Sequence, residues 1–455
     1  MTRLLRVIAA ATVTFALTLE NSTASAQARV QSRPNILIII TDDQRRSTIR
    51  HMPKTRRWFA RGGRHFLRAY ATTPLCCPSR ASIFTGRYAH NHGVENNALA
   101  QTLDQRTTIQ RYLQQAGYHT ALIGRYLNRW PLEEDPPYFD EWAYFSSSLG
   151  HYYGGRWNVN GRVGTVPGYS TDYIARRTVR LLRDREQADR RPWMIVAATA
   201  APHRPFTPEF DYARARVPDW IPGPAVRERD RSDKPPFVQD RRVSLDRMQK
   251  IRRRQLRTLM SVDDMVDRVF RTLGRLREKR RTLAIYLSDN GYMWGEHGLG
   301  TRGYAKRPPY RNSVEIPLLL RRPGYVRAGT STTRLVGNID VAPTVLRAAG
   351  VHADHEIDGI PLMGPRTHER LLLEYFLDTR DTPEWASTQT ASSQYIEYYA
   401  EDGDTVAFRE YYDLRSDPWQ LSNTLADDDP LNDALAAQWS QRLAEDRHCR
   451  GAECP

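Results

Sequence analysis

Cysteine is scarce in this 455-residue chain: there are four, at positions 76, 77, 449 and 454. That excludes a small fold held mainly by disulfides. No Cys-x-x-Cys or His-Glu-x-x-His spacing occurs, so nothing points to a zinc centre. Internal repeats and low-complexity tracts are missing, which excludes a solenoid and a disordered linker protein. Beyond the N-terminal residues no apolar run is long enough to cross a bilayer, so no membrane span is expected. Zinc-finger spacings and RNA-recognition motifs are lacking too, and no nucleic-acid partner is expected. Acidic residues are in deficit, 52 Asp and Glu against 67 Lys and Arg, for a formal charge of +15. Such a surplus attracts polyanions at low salt. Nucleic acid, a sulfated or phosphorylated substrate, and plain Arg-rich solvated faces all fit it, so charge alone decides nothing.

What is present reads as a soluble globular protein of two or three domains, 40% hydrophobic and 26% charged. Arg3 and Arg6 precede an apolar run from Val7 to Leu19, and Ala24-Ser25-Ala26 has the form of a signal-peptidase site. Residues 1–26 therefore read as a secretory signal peptide, and the mature protein as secreted or extracytoplasmic. Export permits a disulfide, and Cys449 and Cys454, which flank Arg-Gly-Ala-Glu, can close a small loop. Adjacent cysteines such as Cys76 and Cys77 rarely bridge each other, so that pair needs another explanation.

Pro34 to Ile40 is a continuous aliphatic run, the pattern of a strand buried on both faces. His119–Ile123, Trp193–Ala198 and Thr282–Leu287 repeat it. Amphipathic helices are predicted over Thr108–Ala116, Thr171–Arg183 and Leu256–Leu273. Alternating strands and helices predict an α/β fold: a large, doubly wound, mainly parallel sheet flanked by helices. Residues 207–250, rich in Pro, Arg and Asp, read as a long surface excursion of the kind that carries specificity. After about residue 350 the pattern changes to short alternating segments such as Gln394–Tyr399, and Asn432 is positioned to cap a last helix. The division expected is 1–26 signal, 27–350 catalytic domain, and 351–455 a smaller C-terminal domain of antiparallel sheet plus helix.

The predicted strand ends carry the chemistry. The first runs into Thr41-Asp42-Asp43-Gln44, the second into Gly124-Arg125, the third toward Pro202-His203-Arg204-Pro205, and the fourth into Ser288-Asp289-Asn290-Gly291. Ligands of open α/β sheets gather at such carboxyl ends. Adjacent carboxylates repel unless a cation lies between them, and three carboxylates with an Asn carbonyl are hard oxygen ligands that suit Ca²⁺ or Mg²⁺ better than zinc. Cys76-Cys77-Pro78-Ser79-Arg80 stands where a loop gives way to a helix, with Cys76 read as just outside it and Pro78 and Ser79 as its first positions. Free amides and the helix dipole favour an anion there, and Arg80 lies one turn on.

Cys76-Cys77-Pro78-Ser79-Arg80, followed by Thr85-Gly86-Arg87, resembles the signature of the type I sulfatases of the alkaline-phosphatase-like superfamily. Further motifs extend the resemblance from Pro34-Asn35-Ile36 to Tyr412-Asp413-Leu414-Arg415-Ser416-Asp417-Pro418. The resemblance implies that Cys76 is oxidised to formylglycine by a formylglycine-generating enzyme before folding, and that the aldehyde hydrate is the nucleophile. It implies Ca²⁺, with Mg²⁺ second, bound by Asp42, Asp43, Asp289, Asn290 and the modified Cys76. It also implies that Arg80 holds the hydrate, that His203 and Lys306 contact the sulfate ester, and that Arg125 stands in for the family's lysine. Leu127 occupies the place of a histidine that accepts a proton in many relatives, and Arg311 follows Tyr310 where the family often has Glu. Gly124-Arg125-Tyr126-Leu127-Asn128 is similar to Gly-Lys-Tyr-Leu-Asn of glucosamine-6-sulfatase-like members. The activity implied is hydrolysis of sulfate monoesters of sulfated sugars; the alternative is a phosphomonoester or phosphonate ester hydrolase of the same superfamily.

Overall fold

A computed structural model describes residues 33–146, 152–188, 191–378, 381–427 and 429–455; the segment 1–26 expected to be a signal peptide lies outside them. The aliphatic run becomes β1 (Asn35–Thr41), with every residue buried. Nine further strands join it: β2 (Arg64–Tyr70), β3 (His119–Arg125), β4 (Glu141–Phe145), β5 (Arg156–Val159), β6 (Arg162–Thr165), β7 (Trp193–Ala198), β8 (Thr282–Ser288), β9 (Leu318–Arg321) and β10 (Thr330–Gly337). The order across the sheet is β10-β2-β9-β8-β1-β7-β3-β4-β5-β6. Strands β8, β1, β7, β3 and β4 run parallel, with Ile38 opposite Val196 on one side and Ile285 on the other. β9 runs antiparallel between β8 and β2, and β5 and β6 add an antiparallel hairpin at the far edge.

Alternation of side chains along β1 feeds two cores. Ile36, Ile38 and Ile40 pack against Ile83 and Phe84 of the helix Cys76–Thr85 and Val345 of the helix Val341–Ala349. Leu37 and Ile39 join a second core with Ile174 of the helix Ser170–Ala188 and Val266 and Phe270 of the helix Leu245–Arg275. Each such side chain contributes about 1.5–3 kcal/mol by its burial. The last helix starts earlier than the expected Leu256. Ser244 Oγ accepts from the Arg247 amide as its cap, and among the Arg and Lys of the first turns Leu245, Met248 and Ile251 continue the apolar spacing, with Met248 buried. The excursion therefore ends at residue 244.

The C-terminal part forms a four-stranded antiparallel sheet in chain order: β11 (Arg370–Tyr375), β12 (Trp385–Thr390), β13 (Ser393–Tyr399) and β14 (Val406–Asp413). The final helix, Pro430–Asp446, is capped by Asp429 rather than Asn432. Pro430 loses no needed donor at the first helical position, and the Asp429 carboxylate accepts from the Leu431 amide at 3.0 Å. A disulfide joins Cys449 to Cys454.

His90, on the short helix Ala89–His92, ties that helix to β11 and to the disulfide loop. Its Nδ1 lies 2.9 Å from Glu374 Oε2 on β11, and its Nε2 3.0 Å from the Cys449 carbonyl. Burial lowers the imidazolium's pKa, but Glu374 and the Cys449 carbonyl outweigh that and push it up to about 9. The folded value lies above the unfolded one near 6.5. The stabilisation is thus complete below pH ~6.5 and is lost as pH rises through about 9. Urea titrations of the wild type and His90→Gln are expected to differ by about 2 kcal/mol at pH 6 and to converge near pH 9.5. A gap independent of pH would refute the charged pair.

Candidate active site

The carboxyl ends of β1, β8, β7 and β3 lie side by side, and the segments leaving them converge. A strand sends successive side chains to opposite faces. Asp43 breaks that alternation with φ 64, a left-handed conformation that Asp tolerates, so both carboxylates reach one site. Its amide donates to Asp289 Oδ1 at 3.1 Å, tying the ends of β1 and β8. On β3, Gly124 has φ +109, and a Cβ there would stand 1.8 Å from the Ala198 carbonyl oxygen. Only glycine permits β3 to pass β7 this closely just before Arg125.

Cys76 is the first residue of its helix rather than the residue before it, with extended Leu75 as the cap. The extended conformation of Leu75 and the Ser79 amide bonded to the Leu75 carbonyl start the turn two residues earlier than Pro78 suggests. Ser79 does not cap. Its hydroxyl donates to the Asp289 carbonyl and accepts from Asn338 Nδ2 at 2.9 Å. Gly86, with φ 75, ends the helix as its composition predicts.

Cys76 Sγ is buried, 3.4 Å from Asp42 Oδ1, 3.9 Å from Asp43 Oδ1 and 2.8 Å from Lys306 Nζ. Lys306 Nζ also lies 2.7 Å from Asp43 Oδ1. The Arg80 guanidinium is engaged on every side. Nε bonds Asp289 Oδ2 at 2.9 Å, Nη2 lies 3.3 Å from Asp42 Oδ2, and Nη1 donates to the Arg125 and Tyr126 carbonyls at 2.9 and 3.3 Å. Arg125 Nη1 pairs with Asp42, while its Nε and Nη2 are buried without a partner. His203 Nε2 is 3.7 Å from Asp43 Oδ2, and its Nδ1 bonds the Arg204 carbonyl at 2.7 Å.

Three carboxylates thus face two buried arginines and the half-buried Lys306. Burial would raise Asp42, but Arg125, His203, Arg80 and Lys306 hold it well below the usual carboxylate range. Burial and the charge of Asp42 raise Asp289. Burial lowers His203 despite Asp43 and Asp42, so its ring is neutral at pH 7. Burial acts against the charged form of Lys306, yet Asp43 and its neighbours raise it. Burial, then Asp42, push the Cys76 thiol well above its ordinary value.

The residues fit a divalent cation. One donor atom each from Asp42, Asp43, Cys76 and His203 lies within 4.8 Å of the others. Asn290 Oδ1 is buried and without a partner, an orphan acceptor beside them. The carboxylates and the Asn290 carbonyl are hard oxygen donors, matched to Ca²⁺ or Mg²⁺, while Cys76 Sγ and the His203 ring nitrogen are softer.

Every site residue expected from the sequence belongs to this cluster except by degree of contact: Arg80 meets the carboxylates, not Cys76. Leu127 is buried in the core. Tyr310 turns away, its hydroxyl donating to Glu410 at 3.0 Å, and Arg311 pairs with Glu315 at 2.9 Å. His92 bonds Ser82 at 3.0 Å outside the cluster. Two contributors escaped the sequence reading. Asn338 follows β10, whose Thr-Ser-Thr-Thr start hides it as a strand. Tyr152 donates to the His203 carbonyl at 2.6 Å, a contact that sequence spacing does not reveal.

Comparison with known proteins identifies the family and the fold. The Sulfatase family model matches residues 34–351, and the model "N-sulphoglucosamine sulphohydrolase, C-terminal" matches residues 295–448. The extracellular sulfatase SULF-1 homolog of Drosophila melanogaster is 34% identical over 367 residues, 73% of this chain and 31% of that one. The chain spans 31% to 49% of the length of the two SULF-1 homologs it matches. The N-acetylglucosamine-6-sulfatase of Homo sapiens is 29% identical over 484 residues, 93% of this chain and 86% of the relative. A solved structure in complex with its substrate D-glucosamine-2-N,6-O-disulfate superposes with a TM-score of 0.78 at 23% identity, covering 91% of this chain and 96% of that one. The match over residues 34–351, together with the converging strand ends, shows that the chain belongs to the sulfatase family.

Proposed function

We propose that this protein is a secreted sulfuric ester hydrolase that removes sulfate from sulfated sugars, with residues 27–350 as its catalytic domain and 351–455 as its C-terminal domain. The observation that carries it is the buried cluster of Asp42, Asp43, Cys76 and His203 donor atoms beside Arg125 and Lys306. The glucosamine sulfates in the names of similar proteins support the sugar class.

Asp42, Asp43, Asp289 and Asn290 would hold Ca²⁺, with residue 76 as a further ligand, and the bound ion supplies Lewis acidity and positive charge. Cys76 converted to formylglycine supplies a hydrate nucleophile, a change made by a formylglycine-generating enzyme. Arg80 orients Asp42 and Asp289 and fixes the start of the residue 76 helix. Arg125 aims two unpaired N–H groups, at Nε and Nη2, into the buried site, where sulfate oxygens satisfy them. Lys306 Nζ, protonated and 2.8 Å from Cys76 Sγ, neutralises the ester and holds a proton for the departing alcohol. His203, neutral and bonded through Nδ1 to Arg204, offers Nε2 as a proton acceptor near the same atoms. This assignment gives the acceptor role that Leu127 cannot fill.

The test compares matched aryl sulfate and aryl phosphate esters and determines by mass spectrometry the state of residue 76 in protein from its native host. Sulfate preference with formylglycine at 76 is expected. A clear phosphate or phosphonate preference would establish the alternative hydrolase, and unmodified Cys76 in active protein would end the formylglycine mechanism.

A further inference from the structure

The 207–244 excursion folds into a basic groove that the cluster above does not use. The groove has a volume of about 440 Å³ and is lined by Arg227, Arg229, Arg231, Arg241 and Arg242, with Glu228 its only acid. Glu228 is already matched: its Oε2 lies 2.8 Å from His297 Nδ1 and its Oε1 3.7 Å from buried Lys234 Nζ. None of the five arginines forms an ion pair among the described residues. Buried Arg231 is built in, with Nη2 donating to the Arg241 carbonyl at 2.6 Å and Nη1 to the Glu228 carbonyl at 3.3 Å. Burial, and then the charge of Arg242, lower its pKa, while Glu228 and Asp240 act the other way and offset only part of that. Arg227, Arg229 and Arg242 are exposed.

One segment of chain links the groove to the site. Gly295 and Gly298 line the groove, and the same segment runs on to Lys306. The Arg241 guanidinium lies 4.0 Å above the Tyr304 ring, two residues before that lysine. The Met293 amide donates to the Ala305 carbonyl at 2.7 Å and closes the loop.

We propose that this groove binds a sulfated stretch of a glycan chain away from the bond being cleaved, so that the enzyme acts on polymer-borne sulfate. The proposal rests on the sulfatase reading for its substrate class. Guanidinium forks match the paired oxygens of sulfate groups. The apolar part of the lining is Val226, Val243 and Leu245, with no aromatic ring on which a base would stack, which favours a glycan over single-stranded nucleic acid.

The experiment uses the full mature protein and a heparin oligosaccharide as probe. The triple variant Arg227→Ser, Arg229→Ser, Arg242→Ser is expected to lose about tenfold in affinity at 0.1 M salt, three exposed charge contacts at a few tenths of a decade each. Turnover of a small aryl sulfate is expected to stay unchanged. A control triple on the helix Ser170–Ala188, Arg176→Ser, Arg180→Ser, Arg183→Ser, is expected to change affinity less than twofold. Equal losses in the two triples would reduce the effect to net charge and overturn the groove. Tighter binding of oligo-dT than heparin, lost in the same groove variant, would overturn the glycan assignment. Binding is read without turnover, so an inactive wild type would refute the sulfatase reading while the contrast between triples still decides the groove.

Discussion

Replacing Cys76 by Ser is expected to lower sulfate ester turnover by about 10⁴-fold or more while leaving the fold intact. The side chain is buried among polar groups, Lys306 at 2.8 Å and Asp42 at 3.4 Å, so a hydroxyl finds partners there and does not unfold the protein. What it lacks is a second geminal oxygen. A plain alcohol that accepts the sulfuryl group has no internal route to release it, whereas the formylglycine hydrate does. Loss of activity alone would not separate this from a thiol nucleophile. A hydrazide probe does, because an aldehyde at residue 76 reacts with it and a thiol does not. Labelling of active wild type with none of Cys76→Ser is the expected pair of results. Turnover of Cys76→Ser within tenfold of wild type would refute the proposal.

The parts of the fold legible in the sequence are those buried on both faces. The strands Asn35–Thr41, Trp193–Ala198 and Thr282–Ser288 show as aliphatic runs because no side chain on them meets water. The edges were not legible for the opposite reason. β10 begins Thr-Ser-Thr-Thr and leaves alternate residues exposed, and β5 and β6 are four residues each. That hairpin did carry a mark: Asn160-Gly161 at its turn, with φ 49 and 82, has the sequence that a two-residue turn between twisted strands demands. The last helix misled because Asn432 is a good capping residue, but Asp429 and Pro430 set the helix start three residues earlier.

The candidate site was legible residue by residue but not as a network. Strand-end position marked Asp42, Asp43, Arg125, Asp289 and Asn290, since polar residues after buried runs are costly without a partner. Sequence spacing does not reveal which cation serves which carboxylate. Arg80, expected at the nucleophile, is turned by its fork toward Asp42 and Asp289, and Arg125 is left with the two free donors.

Arg80→Ala is expected to cost the fold about 3–5 kcal/mol, the range for removing one partner of a buried ion pair. All three groups are fully enclosed: the side chains of Arg80, Asp42 and Asp289 are each 0% exposed. Asp42 keeps Arg125, but Asp289 loses its cation and retains only the Asp43 and Asn290 amides, at 3.1 and 2.8 Å. The Arg125 and Tyr126 carbonyls lose their donor as well. The pH dependence identifies the cause. Burial and Asp42 already raise Asp289, and removing Arg80 raises it further. A carboxyl group whose folded pKa exceeds the unfolded value near 3.9 destabilises the fold increasingly as pH rises through that interval. Protonation at low pH removes the uncompensated charge, so the gap between wild type and variant should narrow as the solution is acidified. Urea unfolding at several pH values measures it. Arg80→Lys keeps the charge without the fork and is expected to fall between the two. A gap below about 1 kcal/mol at neutral pH, or one that widens on acidification, would mean that Arg80 acts through packing rather than through the carboxylates it touches.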